Sequence, residues 1–355
     1  MPPRWGFCIF VLMNNRRNFL KNISLAAAAL ATGGLKAHPQ SPPLFEPGED
    51  LFLPPRLKKG DTIALTAPAG AIFNEDSIQK ATLAFEAQGF SVKHGDTLKQ
   101  KFGYLAGTDE FRAKELNDLF GDKTVNAIIA MRGGWGCARL FTLLDFNIIR
   151  QNPKVISGFS DITALLAAIY KQTRLITFHG PVGNSTLEGF TMDNFLRVVK
   201  DGEPVEMKQP AGDPLNIISE GKATGKLFGG NLSVWCSLLG TGYLPDIRQS
   251  LFFFEETEEE PYQIDRMLTQ LDLQNGIASN TGIIIGKCSK CDAEEPEKSF
   301  TLDEVYRQKF GNLNMPVVTG FSFGHIRDKF TFPIGAPAVF DTAESSVKLL
   351  QSCVV

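Results

Sequence analysis

The sequence predicts an α/β protein: an N-terminal, mainly parallel sheet covered by helices, followed by a smaller, mixed C-terminal domain rich in β-structure. Three features of the 355-residue chain support this prediction. Short apolar runs alternate with segments of helical spacing as far as residue 200. A polar segment rich in proline and glycine then occupies residues 201–220 and indicates a domain boundary. Beyond it, in residues 221–355, strand-like runs outnumber helical ones.

The N-terminal domain, residues 57–200, is predicted from alternating apolar and amphipathic segments. Strands are expected at residues 62–67, 90–93, 125–130, 155–157 and 175–178, and helices at residues 76–88, 110–120 and from 162 onward. Ligands of parallel, helix-covered sheets gather at the carboxyl ends of the strands. The loops at residues 132–136 and 158–161 follow two of these strands, so we expect the functional site there.

The C-terminal domain is predicted to combine several strands with one long helix. Strands are expected at residues 250–254, 282–286 and 316–320, with a helix at residues 262–273 and strand-like runs at residues 331–341. Pro333 and Pro337 interrupt the last of these runs. This pattern predicts a mixed domain with substantial β-structure.

The first 45 residues are predicted to lie outside the fold and to carry an export signal. Arg16 and Arg17 precede an apolar, alanine-rich stretch at residues 23–35, which is too short to span a membrane comfortably. Paired arginines ahead of such a stretch resemble a twin-arginine signal. We therefore expect export to the periplasm without a stable membrane anchor after signal removal, or a cytoplasmic protein if the signal is not functional.

The processing of this segment leaves alternatives open. Cleavage near Ala37 is compatible with the pattern, and Met13 is an alternative start to Met1 because it stands directly before the arginine motif. Residues 46–56 are rich in proline and are predicted to form an extended linker.

The composition excludes some functions. The formal net charge is −3 and no long basic run occurs, so nucleic acid is not expected as a partner. Six cysteines are too few and too scattered for a disulfide scaffold. Cys288 and Cys291 form a C-x-x-C pair that could bind a metal or cycle between redox states. Without a second pair or a nearby histidine, we expect no metal site and no cofactor.

Ser160 lies where a predicted strand passes into a helix. Gly158 allows a tight turn, and the residues from Ile162 carry the spacing of a buried helical face. At such a junction a hydroxyl can be held next to the free amide groups of a helix start, as a nucleophile requires. Ser and Asp before a helix are also ordinary N-caps, so this stretch alone leaves that interpretation open.

A glycine-rich turn at Gly133, Gly134 and Gly136 allows three interpretations. It resembles a phosphate-binding loop but lacks the G-x-G-x-x-G spacing. The glycines could instead let backbone amides approach a substrate oxygen closely. The segment could also be a plain tight turn.

Two histidines are candidates for a general base. His179 and His325 each follow a predicted strand, and either could accept the proton of Ser160. Such a base needs an orienting acid. In the acidic run that follows residues 251–254, Glu255 is the carboxylate nearest the core, whereas the later glutamates are expected to face water.

A series of short motifs, taken in order along the chain, resembles those of the serine LD-carboxypeptidases, the muramoyl-tetrapeptide carboxypeptidase family. The resemblance extends from about residue 57 to residue 340. Its motifs are Lys59-Gly60-Asp61, Ala106-Gly107-Thr108-Asp109, Arg132-Gly133-Gly134-Trp135-Gly136, Gly158-Phe159-Ser160-Asp161, His179-Gly180-Pro181, Gly229-Gly230-Asn231-Leu232, and Glu255 with Phe323-Gly324-His325.

The resemblance implies the roles of individual residues. It implies a catalytic triad of Ser160, Glu255 and His325, and it selects His325 over His179. It also implies an oxyanion site made of backbone amides and no metal. We expect the oxyanion and substrate contacts at Asp161, Gly134, Gly133, Arg132 and Asn231.

The resemblance also implies a function. The family typically hydrolyses the terminal L,D-amide bond of a peptidoglycan tetrapeptide and releases D-alanine, and it suggests a homodimer. Because Ser160 lies in one predicted domain and Glu255 and His325 in the other, the site should lie in a cleft between domains.

Two other functions stay open. A related peptidase cleaves a peptide–nucleotide antibiotic and would need an aromatic contact for the base, which the sequence does not identify. The other possibility is a catalytically inactive module that binds wall peptides.

Overall fold

The computed structural model describes residues 52–274 and 276–355 of the chain. The predicted export signal, the cleavage site near Ala37 and the alternative start at Met13 lie outside the described residues. In the described part of the chain, no helix is long and apolar enough to cross a membrane.

Six strands form a first sheet, and five of these strands run parallel to one another. The strands are β1 (Thr62–Thr66), β2 (Ser91–His94), β3 (Ala127–Ala130), β4 (Val155–Gly158), β5 (Thr177–His179) and β12 (Phe332–Ile334). Their order is β12-β5-β4-β3-β1-β2, and only β12 is antiparallel to its neighbour. The helices of this part are α1 (Asp76–Ala87), α2 (Asp109–Gly121), α3 (Phe146–Gln151), α4 (Ile162–Thr173) and α5 (Gly189–Lys200), with 3-10 turns at Asp96–Lys99 and Cys137–Leu140.

Eight strands form a second, mixed sheet. They are β6 (Glu206–Lys208), β7 (Asn216–Ser219), β8 (Lys222–Asn231), β9 (Leu251–Glu255), β10 (Gly282–Lys287), β11 (Val317–Gly324), β13 (Pro337–Asp341) and β14 (Ser346–Leu349). Their order is β6-β14-β13-β8-β9-β10-β11-β7, and the central strands β8 to β11 run parallel. The helices are α6 (Leu232–Ser237), α7 (Pro261–Leu273) and α8 (Leu302–Phe310), with a 3-10 turn at Pro296–Lys298. The predicted fold class is confirmed.

Helix α4 is buried on every side because both sheets cover it. Its residues from Ile162 to Tyr170 are all buried, as expected of a helix that is apolar all round. A Cβ on Gly230, at the end of β8, would lie 2.5 Å from Thr163 Cγ2, so only glycine allows this close approach. The next residue, Asn231, donates its backbone N–H to Thr163 Oγ1 at 3.0 Å. The start of α4 is therefore fixed against the second sheet.

The chain returns to the first sheet through β12. Phe332 pairs with His179 at the edge of that sheet, although β12 belongs to the predicted C-terminal domain. The segment between β11 and β12 consequently runs from the carboxyl end of one sheet to the edge of the other. The sequence predicted a strand-like run here but not its partner, and the predicted domain boundaries stay a prediction.

Candidate active site

Ser160 occupies a strained turn between β4 and α4. Its φ is 62°, in the left-handed region that a serine adopts at a cost of about 1–2 kcal/mol. Gly158 makes the turn possible, because a Cβ there would lie 2.7 Å from Ile162 Cγ2. The strand therefore passes into the helix within three residues, which holds Ser160 at the carboxyl end of the sheet.

Neither Ser160 nor Asp161 caps α4 with its side chain. The Asp161 carboxylate instead accepts a hydrogen bond from the backbone N–H of Cys137 at 2.9 Å, and burial raises the pKa of Asp161. The hydroxyl of Ser160 has no hydrogen-bond partner among the described residues. The N-cap interpretation of this pair therefore does not describe the structure.

The glycine-rich turn lies directly against Ser160. A Cβ on Gly133 would lie 2.6 Å from Ser160 Cβ and 2.7 Å from its Oγ, so a side chain at this position would displace the serine. Gly134 has a φ of 118°, which also favours glycine. Within the described residues the backbone N–H groups of Asp161 and Gly134 donate no hydrogen bond. Both are thus free to donate to an oxygen bound beside Ser160.

A buried arginine that the sequence analysis missed supports this turn. Arg112 is completely buried in α2, and its guanidinium donates to the carbonyls of Pro68 and Gly136 and to Asp109 at 2.5, 3.1 and 2.5 Å. Because one planar group satisfies three acceptors, it fixes the end of the glycine-rich turn. The signal in the sequence is its position between Asp109 and Leu116 on the buried helix face.

Glu255 and His325 form a hydrogen-bonded pair at the carboxyl ends of the second sheet. His325 Nδ1 lies 2.7 Å from Glu255 Oε2; the carboxylate is fully buried, while 22% of the histidine side chain is exposed. Gly324 permits the contact, because a Cβ on it would lie 2.9 Å from the same carboxylate oxygen. With Nδ1 directed to the carboxylate, Nε2 is the nitrogen left for a proton acceptor.

The pair lies next to the residue that precedes Ser160. The His325 ring packs edge-on against Phe159, with ring centroids 4.8 Å apart. The structure therefore brings Ser160, Glu255 and His325 to the place where the carboxyl ends of β4, β9 and β11 meet. Among the described residues Ser160 and His325 share no direct hydrogen bond.

His179, the other candidate base, is enclosed in the core. It is 2% exposed, and neither ring nitrogen has a hydrogen-bond partner in the described part of the chain. Its neighbours are the rings of Phe159, Phe253 and Phe323. Burial lowers the pKa of His179 to about 4. A neutral, enclosed imidazole of this kind is a core residue.

Glu256 corrects one expectation. The glutamates after Glu255 were expected to face water, but Glu256 is only 2% exposed. Its carboxylate accepts hydrogen bonds from Asn231 Nδ2, Ser233 N and Thr257 N at 2.7, 2.6 and 2.9 Å. The chain turns over the start of α6 here, where the backbone N–H of Ser233, which has no partner inside the helix, donates to the carboxylate. Burial raises the pKa of Glu256.

Two other predicted contacts have partners within the fold. Asn231 donates to Glu256, and its Oδ1 accepts the backbone N–H of Val234 at 3.2 Å, which caps α6. Arg132 Nη1 donates to the carbonyl of Ala71 at 3.0 Å. Arg132 also lines a cavity of about 320 Å³ together with Phe73, Lys80, Met131, Gly183 and Ser185. The roles of Asn231 and Arg132 in substrate binding stay predictions.

The C-x-x-C pair, Cys288 and Cys291, lies in a loop that contacts the backbone of His325. Both thiols are free, and Cys288 Sγ lies 3.2 Å from the hydroxyl of Tyr306. Between them, Ser289 donates its hydroxyl to the carbonyl of His325 at 3.0 Å. Among the residues that the structure describes, no group of three or more His, Cys, Asp and Glu side chains is arranged to hold a metal.

An α/β fold with a buried carboxylate–imidazole pair beside a serine in a strained turn is the architecture of a hydrolase. Comparison with known proteins gives the family. Residues 63–180 match the LD-carboxypeptidase N-terminal domain and residues 224–340 match its C-terminal domain. The chain belongs to the LD-carboxypeptidase family, and it is therefore a peptidase by family.

Individual relatives agree with this assignment. A "probable murein peptide carboxypeptidase" from Bacillus subtilis is 37% identical over 300 residues, which cover 83% of this chain and 93% of the relative. A solved muramoyltetrapeptide carboxypeptidase from Oxalobacter formigenes is 28% identical with a TM-score of 0.72, covering 81% of this chain and 97% of that one. The microcin C7 self-immunity protein MccF, solved with aspartyl sulfamoyl adenosine, has the same fold (TM-score 0.79, 24% identity, 85% and 99% covered).

Proposed function

We propose that this protein is a serine carboxypeptidase that hydrolyses the terminal L,D-amide bond of peptidoglycan tetrapeptides and releases D-alanine. The observation that supports it is the buried Glu255–His325 pair beside the turn that carries Ser160. In this proposal Ser160 is the nucleophile, His325 the general base and Glu255 the group that orients the imidazole.

The first half of the reaction forms an acyl-enzyme. Ser160 Oγ attacks the terminal amide carbonyl, and His325 Nε2 takes the hydroxyl proton while Glu255 stabilises the charged ring. The carbonyl oxygen becomes negative and is bound by the backbone N–H groups of Asp161 and Gly134. His325 then gives its proton to the leaving nitrogen, the C–N bond breaks, and the terminal amino acid departs.

The second half restores the enzyme. A water molecule replaces the departed amino acid, gives one proton to His325 and attacks the acyl carbon. The bond to Ser160 Oγ breaks, and His325 returns the proton to that oxygen. The shortened peptide leaves with a new carboxylate. Apart from this water molecule, the reaction sequence uses side chains and backbone amides of the chain.

The substrate class and location rest on two supports. Relatives of the chain are named as carboxypeptidases of murein peptides. The paired Arg16 and Arg17 before an apolar stretch favour export to the periplasm, where such peptides occur. A homodimer remains part of the proposal on the family resemblance alone.

A defined muropeptide tests the proposal. Purified protein lacking residues 1–45 is incubated with a tetrapeptide ending in D-alanine, and the products are analysed by mass spectrometry beside a Ser160→Ala variant. We expect free alanine and the tripeptide with the wild type only. Binding of the tetrapeptide without release at any pH would identify a binding module instead.

A second candidate is hydrolysis of a peptide–nucleotide amide. Tyr104 and Trp135 are 64% and 52% exposed and contact each other edge-on, with centroids 5.9 Å apart. Trp135 follows Gly134 directly, so an exposed aromatic surface suited to stacking on a base lies beside the proposed oxyanion site. Comparing kcat/KM for the tetrapeptide with that for an aminoacyl sulfamoyl adenosine separates the two functions. Faster cleavage of the nucleotide compound favours the second.

A further inference from the structure

Lys329 is a buried cation in the segment between β11 and β12. It is 4% exposed, and its Nζ lies 4.4 Å from the centre of the Phe159 ring. The imidazole of His325 packs against that same ring. The backbone N–H of Lys329 approaches Thr191 Oγ1 at 3.2 Å, and the next residue, Phe330, donates to the carbonyl of Ser322 at 2.8 Å. Both contacts fix the backbone from which the ammonium extends.

The ammonium of Lys329 has no anionic partner in direct contact. Within the described residues it makes neither an ion pair nor a hydrogen bond, and it lies over the Phe159 ring. The charged groups around it are Glu255 on β9 and Asp328 in its own segment, which favour its protonation, together with the ionisable rings of His325 and His179. Burying an ammonium without a hydrogen-bonded acceptor is costly, so its position against Phe159 requires an explanation.

Lys154 provides an internal comparison. It is also buried, and burial lowers the pKa of both lysines to about 8. The ammonium of Lys154, however, donates to the backbone carbonyls of Asp122 and Val125. Lys154 is thus satisfied by the fold, whereas Lys329 is not.

The ammonium of Lys329 is not completely enclosed by the protein. Several polar atoms of residues 52–274 and 276–355 are fully enclosed and have no partner within those ranges, among them Nε of Arg132 and both ring nitrogens of His179, but Nζ of Lys329 is not one of them. An anion arriving with a substrate can therefore pair with it.

The proposed reaction fixes the position of one anion of the substrate, its terminal carboxylate. In a peptide with a free C-terminus, the terminal carboxylate is attached to the same carbon as the nitrogen that His325 protonates. A cation that recognises this carboxylate has to lie on the His325 side of Ser160. Lys329 meets this condition because its ammonium and the imidazole of His325 both contact the ring of Phe159. Arg132 lies instead beside the glycine-rich turn, where its Nε would be 3.3 Å from a Cβ on Gly70 and its Nη1 donates to the carbonyl of Ala71.

We propose that Lys329 binds the terminal carboxylate of the residue that leaves, and so restricts the enzyme to the C-terminal bond. This inference rests on the proposed carboxypeptidase function and adds a specificity-determining residue to it. The carboxylate supplies the acceptor that the ammonium lacks, through a charge-assisted hydrogen bond.

Two substrates that differ only at the terminus test the role of Lys329. One is a tetrapeptide ending in D-alanine, the other the same peptide ending in D-alaninamide. We expect the wild type to prefer the acid in kcat/KM by about 10- to 100-fold, the range of a hydrogen bond to a charged group. Lys329→Met should lower kcat/KM for the acid at least about tenfold more than for the amide, mainly by raising KM.

Two further variants complete the experiment. Lys329→Arg keeps a cation and should retain most of the preference. Arg327→Met is the matched control, because Arg327 is an exposed cation of the same segment, 3.4 Å from Glu188; the preference should not change. Circular dichroism and thermal unfolding verify that each variant is folded.

The outcomes distinguish the two proposals. Turnover by the wild type with an acid-to-amide ratio near one overturns the role of Lys329 without any variant. Equal losses on both substrates in Lys329→Met show a structural lysine and also overturn it. Turnover of neither substrate by the wild type contradicts the carboxypeptidase function itself, and the inference falls with it.

Discussion

The phenyl ring of Phe159 packs edge-on against the imidazole of His325, with centroids 4.8 Å apart and ring planes at 68°. Phe159 belongs to the turn after β4 in the first sheet, and His325 to the turn after β11 in the second. This contact places the proposed base, on the second sheet, next to the turn of the first sheet that carries Ser160. The same ring lies under the ammonium of Lys329. Phe159 thus contacts both His325 and Lys329 and directly precedes Ser160, and all three groups are proposed to act on one substrate.

The strained turn at Ser160 gives the first prediction. Ser160→Ala and Ser160→Gly should each lower kcat by about 10⁴-fold or more, because the nucleophile is lost. The glycine variant should be more stable than the alanine variant by about 1 kcal/mol, since only glycine adopts a φ of 62° without strain. Kinetics and chemical denaturation measure the two effects. Substantial activity in Ser160→Ala would contradict the role of Ser160 as the nucleophile. A glycine variant less stable than the alanine variant would contradict the strain of the turn.

Two adjacent carboxylates should behave differently. Glu255→Gln should lower kcat by about 10²- to 10⁴-fold with little change in KM, and by less than Ser160→Ala, because the third member orients the base rather than attacks. Glu256→Gln is the control: its amide group would face the N–H of Ser233 or Asn231, which should lower the free energy of unfolding by about 1–3 kcal/mol. A kcat loss in Glu256→Gln as large as that in Glu255→Gln would argue against the triad.

The parts of the fold that depend on nearby residues could be predicted from the sequence. The turn from β4 into α4 follows from Gly158 and the helical spacing after Ile162, and the long helix α7 follows from its own apolar face. The candidate residues Ser160, Glu255 and His325 came from their positions at strand ends and from the order of motifs along the chain. Their assembly agrees with the expectation that a site forms where strand ends meet.

Features that depend on distant partners could not be predicted. The pairing of β12 with β5 carries the segment after His325 back to the first sheet, and no local pattern encodes that pairing. Glu256 is buried because the start of α6 supplies its donors, whereas an acidic run alone indicates a solvated surface. Lys329 looks like any surface lysine in the sequence; its burial against Phe159 is a tertiary property.

His179 gives a prediction about stability. Burial lowers the pKa of His179 from 6.5 to about 4, so between these pH values the unfolded chain binds more protons than the folded one. Its contribution is fully present above pH 6.5 and is lost as the pH falls towards 4, amounting to about 3 kcal/mol. His179→Phe removes this group and should flatten that part of the stability curve relative to the wild type. Identical pH slopes for the two proteins in urea denaturation would contradict a neutral, buried His179.

Lys329 gives a prediction about substrate preference. Burial lowers the pKa of Lys329 from 10.5 to about 8, although the charges of Glu255 and Asp328 oppose the effect. In the free enzyme its ammonium is therefore charged below pH 8 and loses its proton as the pH rises through that value. The acid-to-amide ratio of kcat/KM should fall above pH 8, because the neutral amine no longer attracts a carboxylate.

Taking the ratio isolates Lys329 from the other titrating groups. A group whose charge affects turnover of the acid and of the amide alike cancels in the ratio, whereas the charge on Lys329 matters only to the acid. Lys329→Arg should keep its preference to about pH 10, since a guanidinium stays charged, and Lys329→Met should show a low ratio at every pH. A wild-type ratio that stays constant from about pH 6 to about pH 10 would mean that this ammonium does not recognise the carboxylate.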